Sequence, residues 1–411
     1  MFFPPELVAL VLEEHFSLIE DEFERCKDLA SVALTCRSFH EEAEPFLYRS
    51  ITFRLGTKRA SKIARRLQSG RATFVQELCI EINKDPTLSR RRRPPANDKN
   101  ELYTCYTKLP FNLMSNLRVF SLSHTGNAYS IHGHDHDNFM QADKAIDKLL
   151  NDSLPENVLH KFSHVHPYGA ADMSFLSRQN ELRCLTLHEM PREPQSTVLM
   201  NTLASLPKLR HLELAKVIHA GPVFPPHSRT AQFSLKLRDI RYMSRLEPGL
   251  WGSGAQQFTI LDLSCIQRYS RNIRLINMNT SGSIQGIANE FLNLKLLRLS
   301  WDLLSETMDA PHNAWRSLSS LHRLEAIEVY IRDPHPDMFQ RHHHHINSLL
   351  QNYTGHSLQS ILVNCDKPPW PSYEMVRSQG MGWDQICPVD AQDWLVRYTE
   401  RSNPNSVSEE I

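Results

Sequence analysis

The side chains best able to do chemistry in this 411-residue chain are its twenty-one histidines, and the richest group is His132-Gly133-His134-Asp135-His136-Asp137. Alternate spacing can set three imidazoles on one side of an extended segment, which suits a zinc-type ion with nitrogen and oxygen ligands. A metal-dependent hydrolase using His132, His134 and His136 is a remote reading, since no strand-end framework or distant ligand set accompanies the cluster. His342 to His345 follow Pro334 and Pro336 in a polar run and read as an exposed loop or helix edge. The chain contains no phosphate-cradling Gly-x-x-x-x-Gly-Lys, no dinucleotide glycine fingerprint and no Gly-x-Ser-x-Gly nucleophile turn. Gly282-Ser283-Ile284-Gln285-Gly286 has the glycines without the lysine or serine where either motif needs it. The eight cysteines are scattered, with no Cys-x-x-Cys pair, and several sit inside apolar runs. These features predict a non-catalytic protein with no cofactor and no metal.

Lys plus Arg and Asp plus Glu both number 46, so no net field favours a polyanion, and nucleic-acid binding is not expected. No apolar run reaches the roughly eighteen residues of a membrane helix, and Met1 to Glu6 lacks the basic start of a secretory signal. With unpaired cysteines, this predicts a reducing compartment, cytoplasm or nucleus. Arg90-Arg91-Arg92-Arg93-Pro94-Pro95 reads as a solvated loop, with a nuclear import signal as the alternative.

The elements that must carry any site repeat one small pattern: apolar, two variable, apolar, one variable, apolar. Its copies are Val75-x-x-Leu78-x-Ile80, Leu117-x-x-Phe120-x-Leu122, Leu182-x-x-Leu185-x-Leu187, Leu209-x-x-Leu212-x-Leu214 and Phe258-x-x-Leu261-x-Leu263. Leu294-x-x-Leu297-x-Leu299, Leu324-x-x-Ile327-x-Val329 and Leu358-x-x-Ile361-x-Val363 continue it, with Leu159-x-x-Phe162 and Leu237-x-x-Ile240-x-Tyr242 as weaker copies. The last two apolar positions are two apart, so in a strand both point inward and the residues between them face out. Outward residues His188, His211, Glu213, Asp239, Arg241, Asp262, Arg298, Glu328 and Tyr330 would then line one sheet face. That mixed-charge row suits gripping a protein segment, where charges steer and aromatics anchor; a merely solvated face is the alternative.

The first fifty residues read as three short helices. Pro4, Pro5 and Glu6 form a strong helix start, and Leu7, Val8, Val11 and Leu12 gather on one side. A second helix is expected from Asp28, and a third carries Phe39, Ala43 and Phe46 or Leu47, kinked or ended by Pro45. So short a segment cannot enclose all its apolar surface, and part of that surface should meet another partner or the rest of the chain.

Phe3-Pro4-Pro5-Glu6-Leu7-Val8 resembles the Leu-Pro-x-Glu-Leu-Leu opening of the F-box, and Leu29 to Phe39 resembles its Leu-x-x-Leu-x-x-Val-Cys-Arg-x-Trp signature. Phe3, Thr35 and Phe39 replace leucine, valine and tryptophan, and the first connection, Phe16 to Arg25, is longer. The later repeats resemble the degenerate leucine-rich repeats of fungal F-box proteins. They lack the asparagine ladder of the plain consensus, holding Thr125, Met190, Val217, Asp302, Arg332 and Asp366 where only Asn83 conforms.

The resemblance implies an α/β fold: a three-helix F-box over 1–52, an irregular leucine-rich-repeat-like α/β solenoid over 53–365, a C-terminal capping segment over 366–402 and a disordered tail over 403–411. It further implies that Pro4, Leu7, Leu29, Thr35 and Phe39 contact a Skp-type adaptor, which joins a cullin and a RING subunit in an SCF-type ubiquitin ligase, while the repeat face holds an unknown target protein. A repeat scaffold outside any ligase, with the helices as an ordinary cap, is the alternative, as is another α/β fold whose buried strands read alike.

Overall fold

Pro5 opens the first helix because it has no N–H to leave unsatisfied, while the Pro4 carbonyl accepts from the backbone N–H groups of Leu7 and Val8. In this computed structural model, residues 4–17, 22–55, 58–83, 105–125, 145–165, 173–187, 199, 202–203, 206–214, 233–237, 258–263, 288, 291–300, 318–331, 346–347, 350, 353, 355–365, 372–378, 382–386 and 388–400 are described. The chain divides into two α/β units, Met1–Leu182 and Arg183–Ile411.

Three helices begin the first unit: α1 (Pro5–Ser17), α2 (Glu22–Ala33) and α3 (Arg37–Arg49). α2 starts six residues before the expected Asp28, since the helix-favouring run from Glu22 to Lys27 extends it backward. The long first connection accordingly shrinks to residues 18–21. Pro45 lies inside α3 without ending it. It costs one backbone bond, and the packing of Ala43, Phe46 and Leu47 into the helical core offsets that loss.

α3 passes straight into β1 (Ser50–Arg54), so the expected domain edge at residue 52 falls within a strand. β1 pairs in parallel with β2 (Glu77–Asn83), β2 with β3 (Val119–Thr125), and β3 with β4 (Lys161–Val165). Parallel neighbours need a return segment, supplied after β1 by α4 (Lys58–Gln68) and before β4 by helical residues 145–153. One row across the sheet is Ile51, Leu78, Phe120 and Phe162; the next is Phe53, Ile80, Leu122 and His164. His164 is therefore a core histidine, stacked on Phe162 with ring centroids 6.3 Å apart.

In the second unit, β5 (Cys184–Leu187), β6 (His211–Leu214), β7 (Phe233–Leu237), β8 (Phe258–Leu263), β9 (Leu296–Ser300), β10 (Ala326–Ile331) and β11 (Ser360–Cys365) are parallel in chain order. β12 (Tyr373–Arg377) and β13 (Trp383–Ile386) follow antiparallel. The leading apolar residue of the repeated pattern is 0 % exposed in Val75, Leu117, Leu159, Leu182, Leu209, Leu294, Leu324 and Leu358. It turns inward just before each strand, which is why its spacing marks the strands so well.

The described strand at this place is β7, in which Leu235 and Leu237 align with Leu212 and Leu214 of β6; the expected copy from Leu237 to Tyr242 runs beyond it, out of the described residues. Phe233-Ser234-Leu235-Lys236-Leu237 alternates apolar with polar residues and pairs in register with β6. Ser234 and Lys236 align in register with His211 and Glu213 of β6. Asp239 and Arg241 lie outside the described residues, as do His188, the His132–His136 cluster, His342 to His345, Arg90 to Arg93 and the tail 403–411.

After β13, the C-terminal helix (Ala391–Glu400) folds back over the sheet. Asp390 caps it, its Oδ1 accepting from the backbone N–H of Gln392 at 2.7 Å and Asp393 at 3.1 Å. Trp394 and Tyr398 pack with Leu296, Ala326 and Leu362. These three strand residues share the face of the outward row, so the helix covers part of the surface assigned to a target.

Candidate functional site

Val8 and Leu12 of α1, Leu29 and Ala33 of α2 and Ala43 of α3 close a small core, flanked by Val32, Phe39, Phe46 and Leu47. What α1 leaves outside is also apolar. Leu7, Leu10 and Val11 are 49 %, 59 % and 61 % exposed, and Leu34, at the turn from α2 to α3, is 86 % exposed. Leu7, Leu10 and Val11 sit at i, i+3 and i+4 and so form one stripe. The helix carries two apolar faces: Val8 and Leu12 turn inward, whereas Leu7 and Val11, expected beside them, turn outward.

The five residues assigned to adaptor contact divide the same way. Pro4 and Thr35 are exposed, Leu7 and Phe39 are partly exposed, and Leu29 is buried in the helical core. Leu29 holds the helices together and offers no surface to dock on, a correction to its assigned role. The Thr35 hydroxyl donates to the Val32 carbonyl at 2.7 Å, so this polar group at the turn is already satisfied by its own chain. Leu10 and Leu34 were missed; the signal for Leu10 was an apolar arc on α1 too wide for a single face.

On the second unit the outward row is real but differently composed. Thr186, Glu213, Lys236, Asp262, Arg298 and Glu328 occupy consecutive register positions from β5 to β10. From Glu213 onward their charges alternate in sign. Arg298 Nη1 donates to Asp262 Oδ2 at 2.7 Å, and Arg298 Nε donates to Glu328 Oε2. Asn364 Nδ2 donates to Glu328 Oε1 at 2.8 Å. Asp262 and Glu328 are buried, and one guanidinium bridges both. These residues spend their charge on each other, so their expected role as an open target grip is corrected to a structural one.

The C-terminal helix completes this satisfied surface. Glu374 Oε1 accepts from Ser360 Oγ at 2.6 Å and Trp394 Nε1 at 3.1 Å, and its Oε2 accepts from Arg397 Nη2 at 3.1 Å. A buried carboxylate needs such partners, because an uncompensated one is costly. Among the row residues expected to meet a target, His211 is exposed and Glu213 and Tyr330 are half-buried. Partial desolvation, then the charge of Arg210, hold the His211 imidazole below the ordinary histidine range. Both effects favour the neutral imidazole, which offers a hydrogen-bonding group to a partner.

A small pocket in the first unit is lined by Leu122, Ile146, Asp147, Leu150, Phe162, His164, Met173 and Phe175, without room for a substrate-sized ligand. Among the described residues no three metal-ligating side chains converge, and no helix is long and apolar enough to cross a membrane. Compared with models of known protein families and with curated proteins, the chain matches none.

Proposed function

We propose that the protein is the substrate receptor of an SCF-type ubiquitin ligase, its N-terminal helices acting as an F-box and its strand repeats as an irregular leucine-rich-repeat-like solenoid. The observation that carries this reading is the exposed stripe of Leu7, Leu10 and Val11, with Leu34 exposed at the α2–α3 turn, outside a helical core that is already closed. Apolar side chains left wet beside a finished core serve association, since they add nothing to the fold they stand on. A Skp-type adaptor covers this surface and brings the cullin and RING subunits. The chain itself makes and breaks no bonds; it positions a target protein near the ubiquitin carrier. The target meets the sheet at β5 and β6, around Thr186 and His211, clear of the row from β8 to β10 that is bridged by Arg298 and of the strands covered by the C-terminal helix. The complex works in the cytoplasm or nucleus.

Co-purification of the intact chain with a Skp-type adaptor tests this. A complex lost in Leu7→Asp/Leu10→Asp supports the reading. A chain that retains protein partners but takes no adaptor would instead be a repeat scaffold outside any ligase.

A further inference from the structure

Helix α4 carries charge of one sign only, with its first-turn cations at the unfavourable end of the helix dipole and Arg65 and Arg66 at the favourable end. Its sequence, from Lys58 to Gln68, contains Lys58, Arg59, Lys62, Arg65 and Arg66 and no acidic residue. Two of these cations stand in the first turn, at the positive end of the helix dipole, where a carboxylate would be favourable and a cation is not. Arg59 and Lys62, Lys62 and Arg65, and Lys62 and Arg66 are three or four apart, so three like-charged pairs fall on one side. The opposite side holds Ala60, Ser61, Ala64 and Leu67, all buried.

Arg59, Lys62, Arg65 and Arg66 are exposed, and none forms an ion pair with another described residue. Nearby Arg71 shows the contrast: its Nε meets Glu44 Oε1 at 2.5 Å, and its guanidinium lies 5.7 Å from the Tyr48 ring centroid. A one-signed helix face that finds no ion-pair partner among the described residues suits a partner of opposite charge.

We infer that the exposed face of α4 is a docking site for an acidic segment of a protein partner, a stretch rich in Asp and Glu. Charge complementarity names the occupant. The four exposed cations lie within a helix about 16 Å long, matching a short peptide better than a duplex backbone. The α4 sequence itself contains no aromatic residue to stack a base, which favours a peptide over single-stranded nucleic acid. Ile63 is the one large apolar side chain among them, and it is half-buried, too little to anchor a helix in a bilayer. The inference does not rest on the ligase reading, because α4 carries none of the apolar stripe.

The test uses the full-length protein, a labelled twelve-residue Glu/Asp peptide, a labelled single-stranded oligonucleotide of equal charge, and vesicles containing phosphatidylserine. The peptide should bind, and more weakly as salt rises. Arg59→Gln/Lys62→Gln/Arg65→Gln/Arg66→Gln should weaken peptide binding by about tenfold or more, with the melting temperature unchanged or raised. The charge-matched control Arg118→Gln/Arg183→Gln/Arg210→Gln/Arg323→Gln should leave peptide affinity nearly intact. Equal loss in both variants, or a peptide affinity indifferent to the α4 substitutions, would overturn the proposal. So would an oligonucleotide or vesicle that binds tighter than the peptide through the same four residues.

Discussion

Leu7 and Leu29 lie on neighbouring helices and look equivalent in the amino-acid string, but one is half exposed and the other fills the helical core. Substitution should separate them. Leu29→Ala is expected to cost about 2–5 kcal/mol of stability, read as a lowered urea midpoint, because it leaves a cavity. Leu7→Asp/Leu10→Asp should leave that midpoint nearly unchanged and instead weaken adaptor binding by ~2 kcal/mol or more, as measured by calorimetry. Cysteine chemistry provides a second probe at this scale. Cys36 is exposed two residues beyond Leu34, whereas burial pushes the Cys365 thiol up to about 11. At pH 8 Cys365 is then about one part in a thousand thiolate, so peptide mapping after brief alkylation should find it nearly unlabelled. Cys36 should label readily in the free protein and slowly once an adaptor covers its neighbourhood. Equal labelling of Cys36 with and without adaptor would place the contact elsewhere.

At the scale of elements, the second unit shows how a surface that reads as a binding face becomes structure. Arg298 holds two buried carboxylates, so Arg298→Ala should cost about 3–5 kcal/mol by leaving Asp262 and Glu328 without their cation. Replacing all three with apolar residues of similar size, Asp262→Leu/Arg298→Met/Glu328→Leu, should recover most of that loss in the same urea titration. The C-terminal helix is anchored by Trp394, and Trp394→Ala should cost about 3–5 kcal/mol and leave Glu374 short of a donor. Strand positions were legible because, in the copies whose side chains are described, the leading apolar residue and the apolar strand residues after it are core. The outward row was legible as positions, but its burial was not. Whether Asp262 and Glu328 face water depends on Arg298 one strand away and on a helix over sixty residues later, and neither relation leaves a local periodicity. β1 was missed because Ile51 and Phe53 follow α3 with no turn residues to mark the change.

For the whole molecule, equal numbers of cations and anions conceal an uneven distribution. In the second unit, register puts opposite charges side by side, whereas α4 in the first unit has five cations and no anion. Apolar side chains are just as uneven: α1 keeps three of them in water outside a closed core. An exposed apolar stripe on α1 and a one-signed cationic face on α4 together fit a protein whose work is to bring others together. The most direct measurement is size-exclusion chromatography with light scattering on the intact chain mixed with a Skp-type adaptor. The account predicts a one-to-one complex that Leu7→Asp/Leu10→Asp abolishes while the thermal midpoint stays within a few degrees. Separate elution of the unaltered proteins, or a complex indifferent to those two substitutions, would contradict it.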